Sequence, residues 1–165
     1  SFGKRKGGLV RILFLNPAYG RDFVKSARWF ARSRGRVQRH PDYLCQAIAV
    51  LEQAGHSCSF VDGAARNLTL DDTVGILDQF EPEMLVIQAT TPSIYSDINH
   101  AAMCKDVVGT GCLTVLVGSH VSAEPMNTLE SAQGAVDAVT MREYDLTLLD
   151  LAAGTSMSAV RGIAY

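Results

Sequence analysis

The sequence predicts a doubly wound α/β domain, a five-stranded parallel sheet between two layers of helices in a three-layer sandwich. Two observations carry this. Short, nearly continuous apolar runs alternate along the chain with segments whose apolar residues fall at i, i+3, i+4 and i+7. Small and hydroxylated residues follow the ends of the runs, where strand-to-helix turns need them.

The first run, Val10-Arg11-Ile12-Leu13-Phe14-Leu15, stops at Asn16-Pro17. A run without polar alternation suits a strand covered on both faces. His40-Pro41-Asp42 opens a helix with Leu44, Ala47, Ile48 and Leu51 on one side, and Gly55 stops it. Ser57–Asp62 is the second strand, broken at Gly63. Thr69-Leu70-Asp71-Asp72 caps a helix to about Phe80, with Val74, Leu77 and Phe80 on one face. Residues 84–90 form the third strand, followed by a Thr-Thr-Pro-Ser turn. Ile94, Ile98, Ala101, Ala102 and Val108 then mark a helix ending near Gly109-Thr110-Gly111. Residues 113–118 form the fourth strand, with a short helix near 124–131. Residues 136–141 form the fifth, with a helix over 145–153, and 160–165 read as one more short strand. Right-handed crossovers make the sheet parallel, and five units suit the flavodoxin-like order 2-1-3-4-5 better than the six-stranded Rossmann order.

At 165 residues and 47% hydrophobic, the chain has enough for one domain with a real core. Residues 1–9 read as a polar tail or cloning remnant, and 10–165 as the domain. No apolar run reaches the ~18 residues of a membrane span. Cys45, Cys58, Cys104 and Cys112 show no CxxC spacing, which points to buried thiols in a reducing, cytoplasmic compartment. Charge is uneven. Residues 1–40 hold eleven of the fifteen Lys and Arg against one acid, Asp22, a net +10, while the remainder carries −12. The basic insertion at about 21–39 is therefore expected to dock on its own acidic domain or on a neighbouring one, with nucleic acid the least favoured partner. Trp29 and Phe30 would pin it. In isolation it should be partly mobile, with trypsin cutting first among Arg28, Arg32, Arg34 and Arg36.

In a doubly wound sheet, ligands sit beyond the carboxyl ends of the strands. The turns there are Asn16-Pro17-Ala18-Tyr19-Gly20, Asp62-Gly63, Thr90-Thr91-Pro92-Ser93, Gly118-Ser119-His120-Val121-Ser122 and Met141-Arg142-Glu143-Tyr144-Asp145. Small residues let a ligand approach the backbone, and hydroxyls and N–H groups offer donors. Neither GxGxxG nor GxxxxGK[ST] is present, which argues against dinucleotide and P-loop sites. The positions of a receiver's acidic pair and phosphoryl-accepting Asp hold Asn16-Pro17 and Thr90-Thr91, and no Ser lies in a GxSxG elbow. His120 is read as a capping or hydrogen-bonding residue ahead of a ligand contact. Gly118→Val is expected to abolish binding while leaving the fold largely intact.

Taken in order, FLNPAYG, PDYLCQAIAVLEQAGHSCSFVD, VIQATTPS, VLVGSHVSAEP and VDAVTMREYD resemble the cobalamin-binding domain that precedes the catalytic barrel of B12-dependent radical SAM enzymes, methyltransferases and the anaerobic Mg-protoporphyrin ester cyclase among them. The resemblance covers roughly residues 10–165. It places the family's hydroxyl turn on Thr90 and Thr91, its Gly-Gly-x-His-x-Ser run on Gly118, Ser119, His120 and Ser122, and its Gly-Glu turn on Arg142 and Glu143. Ser119 and Arg142 each stand where the family has glycine. The turns at the strand ends add Asn16, Pro17, Ala18, Tyr19, Asp62 and Met141 to the candidate cofactor-binding set, with Asp62 before Gly63 equally readable as a turn former. The first turn lacks the Asp-x-His-x-x-Gly of methionine-synthase-type domains. The resemblance thus implies base-off cobalamin with no protein histidine on cobalt and no metal ligand from this chain. A [4Fe-4S] cluster and S-adenosylmethionine would belong to the parent enzyme's downstream barrel, because no CxxxCxxC is present here. Alone, the chain should bind and not catalyse, with methyl transfer the expected chemistry of the parent. The alternative is a non-catalytic flavodoxin-like regulatory or scaffold module that takes a nucleotide or no small molecule.

Overall fold

The computed structural model describes residues 8–26, 29–33 and 37–165. Residues 1–7, most of the expected tail, lie outside them, as do Arg28, Arg34 and Arg36. The principal sheet has the order β4-β1-β5-β6-β7-β8. Its strands are β1 (Arg11–Asn16), β4 (Ser57–Asp62), β5 (Met84–Gln88), β6 (Leu113–Val117), β7 (Ala138–Thr140) and β8 (Ile163–Ala164). The first five are parallel in the expected flavodoxin-like order. The sheet nevertheless has six strands, not five. β8 returns antiparallel to β7, pairing Val139 with Ala164 and Thr140 with Ile163.

Alternation along each strand divides the core in two. Ile12, Phe14, Val86, Val115 and Val117 face α1 (Asp42–Gln53) and α7 (Asp145–Ala152), where Leu44, Ala47, Leu51, Leu148 and Leu151 complete one cluster. Leu13, Leu15, Leu85, Ile87 and Leu116 face α3 (Leu70–Phe80), α4 (Ile94–Val108) and α6 (Pro125–Ala132). Side chains filling both faces explain the unbroken apolar runs. α3 begins in a capping box, with the Thr69 hydroxyl accepting from the Asp72 N–H and the Asp72 carboxylate accepting from the Thr69 N–H.

Three features depart from the expected outline. A one-turn helix, α2 (Gly63–Arg66), follows β4 directly. The single helix expected near 124–131 is preceded by a second short one, α5 (Ser119–Ala123), and Glu124 joins α5 to α6. Within the basic insertion, β2 (Phe23–Lys25) and β3 (Phe30–Arg32) pair antiparallel. Arg32 is exposed on β3, whereas Lys25 is 1% exposed.

The register brings the carboxyl ends of the parallel strands to one level. Asp62 pairs with Asn16 and Gln88 with Val117. Asn16 and Gln88 each follow the paired Leu15 and Ile87, and Thr140 follows Val139, the partner of Leu116. Asp62, Asn16, Gln88, Val117 and Thr140 therefore form one lateral row.

Candidate functional site

A cavity of about 440 Å³ opens at the carboxyl ends of β5, β6 and β7, and Gln88 is the member of that row that lines it. Tyr43 and Gln46 of α1 form one wall, and Tyr144 and Asp145 at the start of α7 another. Gln88 and Ala89 contribute from the end of β5, Gly118, Ser119 and Ser122 from the turn after β6, and Arg142 and Glu143 from the turn after β7. Most of the exposed wall surface is apolar, while Gln46, Ser119, Ser122, Arg142, Glu143 and Asp145 bring polar and charged groups to its edge.

Two local devices shape the rim. Gly118 has φ +126°, and a Cβ there would lie 2.3 Å from the Ala89 carbonyl oxygen. Glycine is thus required by the protein's own backbone, whatever the ligand. This corrects the expectation that Gly118→Val leaves the fold largely intact. Across the rim, the Arg142 N–H donates to the Ser122 hydroxyl at 2.7 Å, with Arg142 itself at φ +64°. That bond ties the turns after β6 and β7 together.

Gln88 closes β5 on the face turned to α1 and α7. It is 3% exposed, and its Nε2 has no hydrogen-bond partner. Behind it lies a buried polar network. The Lys25 ammonium donates to the Gln88 carbonyl at 3.0 Å and pairs with the Asp97 carboxylate. Asp97 also accepts from the Thr90 N–H at 3.1 Å and the Ser93 hydroxyl at 2.6 Å, and the Thr90 and Ser93 hydroxyls are 2.7 Å apart. Burial pushes the Lys25 pKa below that of an ordinary lysine and the Asp97 pKa above that of an ordinary aspartate, against the attraction between them. Asn16 joins the network, its Nδ2 donating to the Lys25 carbonyl at 2.9 Å and to Asp62 Oδ1 at 3.0 Å. Asp62 in turn caps α2 by accepting from the Ala65 N–H at 3.1 Å.

The residues singled out from sequence therefore fall into groups. Gly118, Ser119, Ser122, Arg142 and Glu143 meet at the cavity. Thr90, Asn16 and Asp62 hold the layer beneath or beside it. Thr91 is exposed, and its hydroxyl lies 3.3 Å from His120 Nδ1. The Met141 N–H donates to the Gly162 carbonyl. Pro17 follows Asn16 at the end of β1. Ala18 and Tyr19 line a second, more open cavity of about 520 Å³ with Gly20, Arg21, Asn67 and Leu68. There Tyr19 packs edge-on against Phe23 at 5.3 Å and Phe30 at 4.8 Å between ring centres. Phe30 thus pins the insertion to the first turn, while Trp29 is half exposed with the Arg39 guanidinium over its ring.

Sequence reasoning missed Lys25, Asp97, Gln88, Tyr43, Gln46 and the wall role of Tyr144. Two signals were present. Gln88 is a polar residue ending an apolar strand on the ligand side of the sheet, and Asp97 interrupts the apolar stripe of Ile94, Ile98 and Ala101. Lys25 carried none, since it sits among bases that resemble it.

No protein-family model matches the chain. In solved structures, the radical enzyme OxsB, described as cobalamin-dependent with aqua-cobalamin and S-adenosylmethionine bound, superposes with a TM-score of 0.77 at 13% identity, over 95% of this chain and 21% of that one. The radical methyltransferase TsrM of Kitasatospora setae, with cobalamin and a [4Fe-4S] cluster bound, gives 0.71 at 15% identity over 94% and 29%. The fold is that of a segment of these cobalamin-dependent radical enzymes. By sequence, an uncharacterized methyltransferase of Pyrococcus horikoshii is 28% identical over 122 residues, 72% of this chain and 26% of that protein. The cytidylyl-2-hydroxyethylphosphonate methyltransferase of Streptomyces wedmorensis is 25% identical over 94% of this chain and 31% of that one. The chain thus spans between a quarter and a third of the length of these curated relatives. No helix among the described residues is long and apolar enough to cross a membrane.

Proposed function

We propose that this chain is the cobalamin-holding module of a B12-dependent radical SAM enzyme, serving methyl transfer. The observation that carries the reading is the cavity at the carboxyl edge of the sheet, rimmed by Gly118, Ser119 and Ser122 and floored by a buried amide without a partner. Its volume suits part of a cobalamin, and its donor set suits amide and phosphate groups. When bound, methylcobalamin supplies a transferable methyl group.

The chain's own part is to bind and orient. Ser119, Ser122 and the backbone of the Gly118 turn would donate to the ligand, and Arg142 and Glu143 would meet its polar edge. Thr91, His120, Met141 and the turn from Asn16 to Tyr19 would extend the contact beyond the cavity, with Asp62 and Thr90 fixing that surface. The turn from Asn16 to Gly20 carries no histidine, so by the resemblance cobalamin would be held base-off without a protein imidazole on cobalt. The methyl-transfer assignment is supported by the names of the sequence relatives. The cluster and S-adenosylmethionine would come from a catalytic barrel elsewhere in a longer parent, as the partial span of the relatives supports.

Titrating the chain at tens of micromolar with hydroxocobalamin, followed by gel filtration and visible spectroscopy, tests the proposal. Corrin absorbance should co-elute with protein and show the base-off spectrum. Elution without corrin would overturn it and leave the regulatory or scaffold reading.

A further inference from the structure

We propose that the basic insertion braces the turn after β5 for the cofactor, with Lys25, acting through Asp97, the positioning residue for Thr90 to Ser93. This rests on the proposed function, which sets that turn against the corrinoid, and adds the residues that hold it in shape before the ligand arrives.

One buried carboxylate serves three donors. Asp97, in the first turn of α4, takes the Lys25 ammonium on Oδ1. Its Oδ2 accepts from the Thr90 N–H at 3.1 Å and from the Ser93 hydroxyl at 2.6 Å. Thr90 and Ser93 are the two ends of the turn, both buried, and their hydroxyls lie 2.7 Å apart. Thr91 and Pro92 between them are exposed. Tying both ends inward to Asp97 thus leaves the middle of the turn facing out. The Thr91 hydroxyl then lies 3.3 Å from His120 Nδ1, so the same brace sets where the turns after β5 and β6 meet.

Lys25 supplies what Asp97 needs in order to accept three bonds. Burial favours the neutral acid, and a protonated carboxyl would turn one acceptor into a donor. The same ammonium also donates to the Gln88 carbonyl at 3.0 Å. It therefore holds the end of β5 and the start of α4, the two elements that the turn connects. The insertion is fixed in its turn by Asn16 Nδ2, which donates to the Lys25 carbonyl, and by Phe23 and Phe30 against Tyr19. α4 carries a counterpart near its other end, at the amino edge of the sheet. There Lys105 pairs with Asp137 at 2.6 Å, and Asp137 accepts from the Thr114 N–H at 2.7 Å.

The test titrates wild type and variants of the whole chain with hydroxocobalamin and follows each in urea. Lys25→Met should weaken binding about ten-fold, the effect of losing a charge-assisted bond. Adding Asp97→Asn removes the stranded charge, keeps an oxygen for Thr90 and Ser93, and should recover most of that loss. Adding Asp97→Leu instead removes the charge and the acceptor, and should leave binding weak. A control pair, Lys105→Met with Asp137→Leu, should lose stability and bind like the wild type. Undiminished binding by Lys25→Met, equal rescue by Asn and Leu, rescue by neither, or a matching loss in the control overturns the brace while leaving cobalamin binding in place. A second measurement needs no variant. In the ligand-free wild type, the Thr90 amide proton should exchange as slowly as those of β5 and β6, and exchange at loop rates overturns the proposal. A wild type that retains no hydroxocobalamin overturns the proposed function and this inference together.

Discussion

Lys25 and Asp97 are the residues whose removal should be felt most, and the reason is their burial. Each is the other's counter-charge in a place that water does not reach, at 0% and 1% side-chain exposure. Removing one leaves an uncompensated charge, at a cost of about 3–5 kcal/mol, whereas replacing both by apolar residues of like size is far milder. Chemical denaturation should therefore show Lys25→Met and Asp97→Leu each strongly destabilised and the double variant losing clearly less than their sum, yet still below wild type because the buried Thr90 N–H loses its acceptor. Losses that simply add would show that the pair is not coupled. Gly118 gives a second prediction. Because a Cβ would meet the Ala89 carbonyl at 2.3 Å in a left-handed backbone, Gly118→Ala should lose at least about 2 kcal/mol in the absence of any ligand. A variant as stable as the parent would return Gly118 to a role in ligand access alone.

Among the elements, α3 shows how local chemistry becomes pH dependence. Hydrogen bonds from the Thr69 hydroxyl and N–H hold the Asp72 carboxyl below its ordinary value of 3.8. A carboxylate whose folded pKa is depressed contributes stability that is present above its unfolded value and lost as pH falls through the folded one. The stability gap between wild type and Asp72→Ala should accordingly be open at pH 6 and close progressively below about pH 3.8. A gap that stays constant to pH 2 would remove the capping box from the account. This cap was legible in Thr69-Leu70-Asp71-Asp72 because an N-cap is written in consecutive residues. The five parallel strands and their order were legible for a similar reason, since period and crossover hand are local rules. β8 was legible as a strand, but not its direction. Nor was the β2–β3 pair, since three-residue strands carry too few side chains to show a period. The cavity was half legible. Turn residues such as Ser122 and Glu143 announce themselves by following strand ends, whereas Tyr43 and Gln46 reach the cavity from α1, which only packing brings there.

For the molecule as a whole, ligand binding and stability are linked. A corrinoid that binds the native state alone, at a hundred times its dissociation constant, stabilises by about 2.7 kcal/mol. In a domain of this size that is roughly 5–10 °C in Tm, readable by differential scanning fluorimetry with methylcobalamin. No shift at saturating ligand would mean that the native state does not bind it. The parallel sheet has a second, temporal consequence. Every pairing among its first five strands spans a crossover, so no neighbouring segments can build the lateral row of Asn16, Gln88 and Thr140 on their own. Contacts so distant in sequence close late and slowly. Helix signal should thus recover early on refolding, and competence to capture corrin should return last, as the slowest phase of a stopped-flow trace. The cavity then serves as a clock for completion of the sheet, because a chain with one crossover still open has its helices but no floor beneath the ligand.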